Sequence, residues 1–216
     1  MKQFSIMIGV PSGREWCADF GMSLAALVAH APSPFKNGDR IVKLRLFNAK
    51  GSILSRGRTT LAKQALECGA THLLFLDSDM TFPADTLHRL LAHDRAVVAC
   101  NCATKMLPST PTARMKNENR AGEPLYSVID DIGLKRVWRV GTGVMLIRTK
   151  LFEQIPQPWF PVEWEPELQD YRGEDWAFCE ALDRRDIPIY VDLSLSKQIG
   201  HIGDLTYEHK HVEIRT

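Results

Sequence analysis

The chain lacks any apolar run approaching the roughly eighteen residues that a membrane-crossing helix requires, so a spanning protein is not expected. It also lacks an excess of charge of either sign. With 27 basic residues against 26 acidic ones, the formal balance of +1 announces neither a nucleic-acid binder nor an acidic protein, and a polyanionic partner would need a local basic patch. Cysteine pairing is missing too: Cys17, Cys68, Cys100, Cys102 and Cys179 are odd in number and form no Cys-x-x-Cys motif, which argues against a disulfide scaffold and a zinc cluster. A reducing cytoplasm fits that usage. The first apolar stretch, Phe4 to Val10, is strand-length and too short for a signal peptide, so the expectation is a soluble cytoplasmic protein with no membrane partner. What remains is ordinary for a globular chain of 216 residues, 44% of them hydrophobic: one domain with its own core. Nothing in the pattern fixes an oligomeric state.

Apolar runs bounded by turn residues predict strands at Phe4 to Val10, Ile41 to Phe47, Leu73 to Leu76, Ala96 to Cys100 and Ile189 to Asp192. Between them, Leu61, Ala62, Ala65 and Leu66 predict a helix ending near Gly69, and Leu87, Leu90 and Leu91 a helix begun by Pro83. The alternation builds a β-α-β crossover, hence an α/β fold. It stops at Asn101, after which prolines, polar and charged residues run to Pro124 as a long functional loop or partly ordered lid. Arg136 to Val140 and Val144 to Arg148 are expected to be two antiparallel strands flanking Gly141-Thr142-Gly143, and Gly173-Glu174-Asp175 to open a helix reaching about Arg185.

The stretch richest in chemistry is His72-Leu73-Leu74-Phe75-Leu76-Asp77-Ser78-Asp79, a buried strand that stops on two carboxylates. Ligands collect beyond the carboxyl ends of strands in open α/β sheets. On a regular strand Asp77 and Asp79 share a face with Ser78 turned away, and such oxygens suit Mg2+ or Mn2+, above all when a phosphate completes the shell. An ordinary turn, with Asp79 capping a helix, is the plain alternative. Late in the chain His201 stands in a tight-turn context between Gly200 and Gly203, and the His209-x-His211 spacing can reach one ion. Glu163, Glu165, Glu167, Asp170, Glu174 and Asp175 crowd around Arg172 alone, and crowded like charges raise carboxylate pKa values. Lys105, Arg114, Lys116 and Arg120 against Glu118 make the long loop basic, either as a solvated face or as a clamp on a polyanion. Of the aromatic residues Trp138, Trp159, Phe160, Trp164 and Trp176, most belong in a core, and Trp159 and Trp164 are the first choices for a ligand-stacking face because their segment is irregular and Pro-rich.

Taken in order, Val10-Pro11-Ser12, Arg58-x-x-Leu61-Ala62, Leu73 to Asp79, Gly141-x-Gly143, Gly173-Glu174-Asp175 and His201-Ile202-Gly203 resemble a compact glycosyltransferase of the GT-A fold, similar to family 2-type enzymes including small bacteriophage versions. The resemblance spans residues 4 to 203 and implies a single domain, 1–216, with a mixed, mostly parallel sheet flanked by helices. It implies transfer of a sugar from a nucleotide-diphosphate sugar, a UDP-sugar foremost, to an acceptor hydroxyl with inversion, assisted by Mn2+ or Mg2+. In that scheme Asp79 ligates the ion, Asp77 contacts the ribose or reaches the ion through water, and His201 returns to the metal. Pro11, Ser12 and Ser78 line the nucleotide site, and Gly141, Thr142 and Gly143 the donor sugar. Asp175 is the general base with Glu174 orienting hydroxyls, and Trp159, Trp164, Arg114 and Lys116 meet the acceptor. Similar proteins often carry Arg-Asn where this chain has Arg58-Thr59 with Arg56 nearby, so which guanidinium meets the phosphates stays open. A hydroxymethylated base in phage DNA, reached in a host cytoplasm, is the implied acceptor, with a glycan or protein as the alternative. A metal-dependent phosphoesterase or nuclease is the reading from another class.

Overall fold

The computed structural model describes residues 1–118, 121–128, 130–167, 169–204 and 206–212, with the side chain of residue 209 excepted. β1 (Gln3–Ser12) buries its run from Ile6 to Val10 and is followed by α1 (Ala18–His30), which packs Phe20, Leu24 and Leu27 on one face of the sheet. After β2 (Arg40–Lys50), α2 (Leu54–Glu67) sets Leu61, Ala62 and Ala65 on the opposite face. It ends where Gly69 takes φ +67°, a left-handed turn that glycine adopts without strain. β3 (His72–Leu76) is buried throughout because each face carries a helix layer: Leu73 and Phe75 join one core cluster, Leu74 and Leu76 the other.

The chain then makes β4 (Met80–Thr81), α3 (Thr86–Ala92) and β5 (Val97–Ala99). The segment expected to be a loop contains a short ladder of β6 (Arg114–Met115) with β7 (Glu123–Pro124). β8 (Leu134–Val137), β9 (Val144–Arg148) and α4 (Leu151–Gln154) follow, then a hairpin of β10 (Glu163–Glu165) and β11 (Asp170–Arg172), and α5 (Glu174–Asp183). β12 (Ile189–Asp192) leads through α6 (Leu193–Ser196) to β13 (Gly200–Ile202) and β14 (Thr206–Tyr207).

The central sheet has seven strands in the order β2-β1-β3-β9-β5-β12-β8. The pairings make it mixed: β8 and β9 run against the other five, so most strands share one direction. This corrects the expectation of an antiparallel pair around Gly141-Thr142-Gly143, because β8 and β9 are not neighbours. Val144, Met145, Leu146 and Ile147 are apolar on both faces and fill the middle of the sheet, whereas Lys135 and Arg136 keep β8 at its edge. A second sheet, β14-β13-β4, is small and stands at the end of β3. Among the described residues no helix is long and apolar enough to cross a membrane.

Candidate functional site

β1 and β3 pair in parallel, with Gly9 opposite Phe75, so the residues that follow each strand emerge at the same end of the sheet. There Pro11, Ser12, Asp77, Ser78 and Asp79 line a cleft of about 210 Å³ whose other wall is Gly51, Ser52 and Gly57. A neighbouring cavity of about 490 Å³ shares Gly51, Ser52 and Gly57 and adds Lys50, Arg56 and Thr60. Apart from Arg56, the wall from Ala49 to Gly57 was not anticipated from the sequence, although Gly51-Ser52 after an apolar run is a turn signal of the kind that opens a loop between strand and helix. Strand β2 extends three residues beyond the expected Phe47 and carries this turn to the cleft.

The two acids do not share a strand face. β3 ends at Leu76, and the Met80 N–H donates to the Asp77 carbonyl at 3.1 Å, closing a turn that sends the two carboxylates to different partners. Asp77 faces Arg58, whose Nη2 lies 3.0 Å from Oδ2 and whose Nε lies 3.1 Å from Glu174 Oε1. Arg58 is 2% exposed and stacks its guanidinium 5.4 Å from the Phe75 ring centre. Its Nη1 is buried without a hydrogen-bond partner among the described residues. The arginine marked for the phosphates is therefore a buried bridge between two carboxylates, and Arg56 is the one that lines an open cavity.

Asp79 faces the small sheet. His201 pairs with Met80 across β13 and β4, and the Ile202 N–H donates to the Asp79 carbonyl at 2.7 Å. Gly200 makes this possible: a Cβ there would lie 2.3 Å from Thr81 Oγ1 and 2.7 Å from Thr206 Cγ2, so no larger residue fits between the flanking strands. His201 Nδ1 is 2.9 Å from the Ala103 carbonyl, which only accepts, so Nδ1 carries hydrogen and Nε2 is turned to Asp79 Oδ2 at 3.6 Å. Lys105 forms an ion pair with the same Oδ2. Burial opposes ionisation of Asp79, yet His201 and Lys105 outweigh it and hold the carboxyl at about 2. Asp79 Oδ1 is buried and has no hydrogen-bond partner among the described residues. Among those residues no group of three or more His, Cys, Asp or Glu converges for a metal, because Arg58 has drawn Asp77 away. Asp79 and His201 nevertheless fit a hard cation that takes its remaining oxygens from a phosphate and water, the usual way such ions are held. His211 accepts the Glu208 N–H on Nδ1 at 2.9 Å and meets the Tyr207 ring edge-on; the side chain of His209 lies outside the described residues.

Across Arg58 from Asp77, Gly173 caps α5, whose first turn holds Glu174 and Asp175. Asp175 Oδ1 accepts the Trp176 N–H at 2.7 Å. Burial first, and then the Glu174 charge, push its carboxyl up to about 6 against the pull of Trp176 and Arg58. The cause expected from the sequence, crowding along the whole acidic stretch, is only part of it, because Arg172 binds Glu163, Glu165 and Glu180. Gly143 lets β9 begin close to Asp77: a Cβ there would stand 3.3 Å from Met80 Sδ and 3.6 Å from Asp77 Oδ2. Thr142 is buried, with its hydroxyl lacking a hydrogen-bond partner among the described residues, and Gly141 packs on Thr112.

The acceptor candidates separate. Trp159 is buried, donates its indole N–H to the Ile155 carbonyl and packs on Phe152, so it is a core residue with no face for a ligand. Phe160 and Trp138 are buried as well. Trp164 is half exposed and meets Tyr171 edge-on, ring centres 5.3 Å apart, across the β10–β11 hairpin. The described cations of the basic loop meet partners of this chain: Lys105 on Asp79 and Lys116 on Asp183 at 2.7 Å, both at the surface, and Arg114 over Trp176 with 5.9 Å to the ring centre. Arg120 lies outside the described residues.

No family model matches the chain, and no curated protein matches its sequence. Among solved structures, A197 from STIV is similar in fold, with a TM-score of 0.64 at 18% identity over 96% of this chain and 91% of that one. TarS from S. aureus matches with a TM-score of 0.46 at 18% identity, over 88% of this chain and 35% of TarS. TarS 1-349 in complex with UDP-GlcNAc also gives 0.46, at 17% identity over 87% of this chain and 55% of that one. At these identities the likeness is one of fold, and the chain is an α/β protein with a seven-stranded mixed sheet, similar in fold to A197.

Proposed function

We propose that this chain is one catalytic domain that transfers a sugar from a nucleotide-diphosphate sugar, tested first as a UDP-sugar, to an acceptor hydroxyl. The observation that carries this is a pair of differently tuned carboxyl groups about the cleft at the ends of β1 and β3: Asp79 lines it, and Asp175 follows Glu174, which Arg58 ties to the cleft residue Asp77. Asp79 is held near 2 with one oxygen unpartnered among the described residues, and Asp175 is pushed up to about 6. Environments that drive two carboxyl groups apart in this way assign one to holding charge and the other to moving a proton.

The costly event in such a transfer is departure of the diphosphate, and a Mn2+ or Mg2+ ion held by Asp79 and His201 would supply a Lewis acid there. Asp79 stays ionised at every physiological pH, and the Ala103 carbonyl keeps Nε2 of His201 directed at it. Pro11, Ser12 and Ser78 receive the base and ribose, and Asp77 presents a carboxylate oriented by Arg58. Asp175 takes the proton of the attacking hydroxyl: with a pKa near 6 it is ionised at neutral pH and still basic enough to act. Glu174, fixed by Arg58, orients the hydroxyl. One base opposite the leaving group gives a single displacement with inversion.

On the acceptor side, Trp164 and Tyr171 offer exposed rings on a hairpin whose tip bears Glu167 and Asp170, a surface suited to stacking a sugar and unfavourable to phosphates. A DNA acceptor draws no support from Arg114 and Lys116, both engaged within the molecule. A two-metal hydrolase needs more ligands than Asp79 and His201 provide. Thermal unfolding with nucleoside diphosphates, with and without Mn2+, tests the donor site. At a hundredfold excess over Kd, binding contributes about 2.7 kcal/mol, a rise of roughly 5–10 °C for a chain of this size. If no nucleoside diphosphate shifts the transition under either condition, the proposal is wrong. Release of the nucleotide from a panel of nucleotide sugars would then name the donor.

A further inference from the structure

Lys105 was not among the residues marked for the donor site, yet its ammonium is the group that sits on Asp79 Oδ2. It comes from a stretch whose base is fastened and whose tip is exposed. Ala103 bridges Pro111, the Thr104 N–H donates to the Thr110 carbonyl at 2.9 Å, and the Ser109 N–H donates to the His211 carbonyl at 3.2 Å. From Lys105 to Pro108, by contrast, every residue is exposed. Gly203 gives the lysine stem its path: a Cβ at that position would stand 3.4 Å from Lys105 Cδ and 2.9 Å from Tyr207 Cε2. The Ala103 carbonyl, two residues upstream, orients His201 toward the same oxygen, so one short segment controls both groups around Asp79.

The geometry points to Lys105 as a tethered cation that holds the divalent-ion position at Asp79 until the ion arrives together with a diphosphate, to which the ammonium then transfers. This rests on Asp79 being the cation ligand of the donor site. An ammonium and a divalent ion cannot share Oδ2 at contact distance without strong repulsion. An ion entering alone between His201 Nε2 and Oδ2 must therefore detach Lys105 and leave it without an anion, whereas an ion entering with a diphosphate brings the replacement partner. Free-ion binding is weakened and combined binding is not, so the two ligands are coupled through one side chain. Lys105 is thus a specificity-determining residue that favours an ion–diphosphate pair over the bare ion.

Titration calorimetry of Mn2+, alone and at saturating UDP, tests this on the full chain. In the wild type UDP should tighten Mn2+ binding on the order of tenfold or more. Lys105→Met, at an exposed position, should bind Mn2+ alone more tightly than the wild type, and should lose most of the tightening by UDP. Lys105→Arg should keep it. If the wild type and Lys105→Met bind Mn2+ alone equally well while UDP still tightens both, Lys105 has no part in the exchange and the inference falls with the donor site intact. If the wild type binds no Mn2+ even with UDP, the metal reading of Asp79 fails and takes this inference with it.

Discussion

The two carboxylates of the cleft are each backed by a supporting wall of their own, and the two are built differently although the acids are two residues apart in sequence. On one side Arg58, 2% exposed, ties Asp77 to Glu174 and so joins α2, the end of β3 and α5 beneath the main sheet. On the other, Asp79, His201 and Lys105 are 30%, 23% and 37% exposed and hang on strands of two or three residues and on a loop. A buried ion pair is costly to break because each charge loses its only compensation, whereas a solvated one exchanges partners at little expense. The Arg58 side is thus suited to hold geometry and the Asp79 side to hand over a cation.

The largest effect should come from the proton acceptor beside the rigid wall. Asp175→Asn keeps the size of the side chain but cannot accept a proton, so transfer should fall by roughly 10²–10⁴ while UDP and Mn2+ affinity stay near wild type. Wild-type turnover should decline as pH drops through about 6, because the raised pKa makes Asp175 neutral there, and the variant should lose that limb. Wild-type transfer rates from Asp175→Asn would show this carboxyl to be structural.

Next in size is the stability contrast between the walls. Arg58→Met strands two carboxylates and should cost about 3–5 kcal/mol in urea unfolding. Asp79→Ala should cost less than about 1 kcal/mol, yet abolish cation-dependent nucleotide binding. Were the two costs equal or reversed, the division into a fixed and an exchangeable wall would be mistaken. The smallest stability change is expected at the hairpin: Trp164→Ala should stay within about 0.5 kcal/mol of wild type and raise the acceptor KM without altering donor affinity. Unchanged acceptor kinetics would move the acceptor away from Trp164 and Tyr171.

By itself the sequence determined the local framework: the apolar run that makes β3 a central strand, the end of α2 near Gly69, the helix begun at Gly173, and two acids just beyond a strand end. Each follows from side-chain periodicity or turn chemistry acting over a few residues. Where those acids point was legible only in three dimensions. Arg58 takes Asp77 because α2 and α5 pack on the same face of the sheet, and His201 reaches Asp79 because β13 pairs with β4 about 120 residues upstream through Gly200. The same holds for Trp159 in the core against Trp164 in solvent, and for β9 between β3 and β5 instead of beside β8. Tertiary structure alone decided these, because burial and ion pairing depend on segments distant in the chain, and no local pattern encodes which of several equally charged or equally apolar partners will arrive.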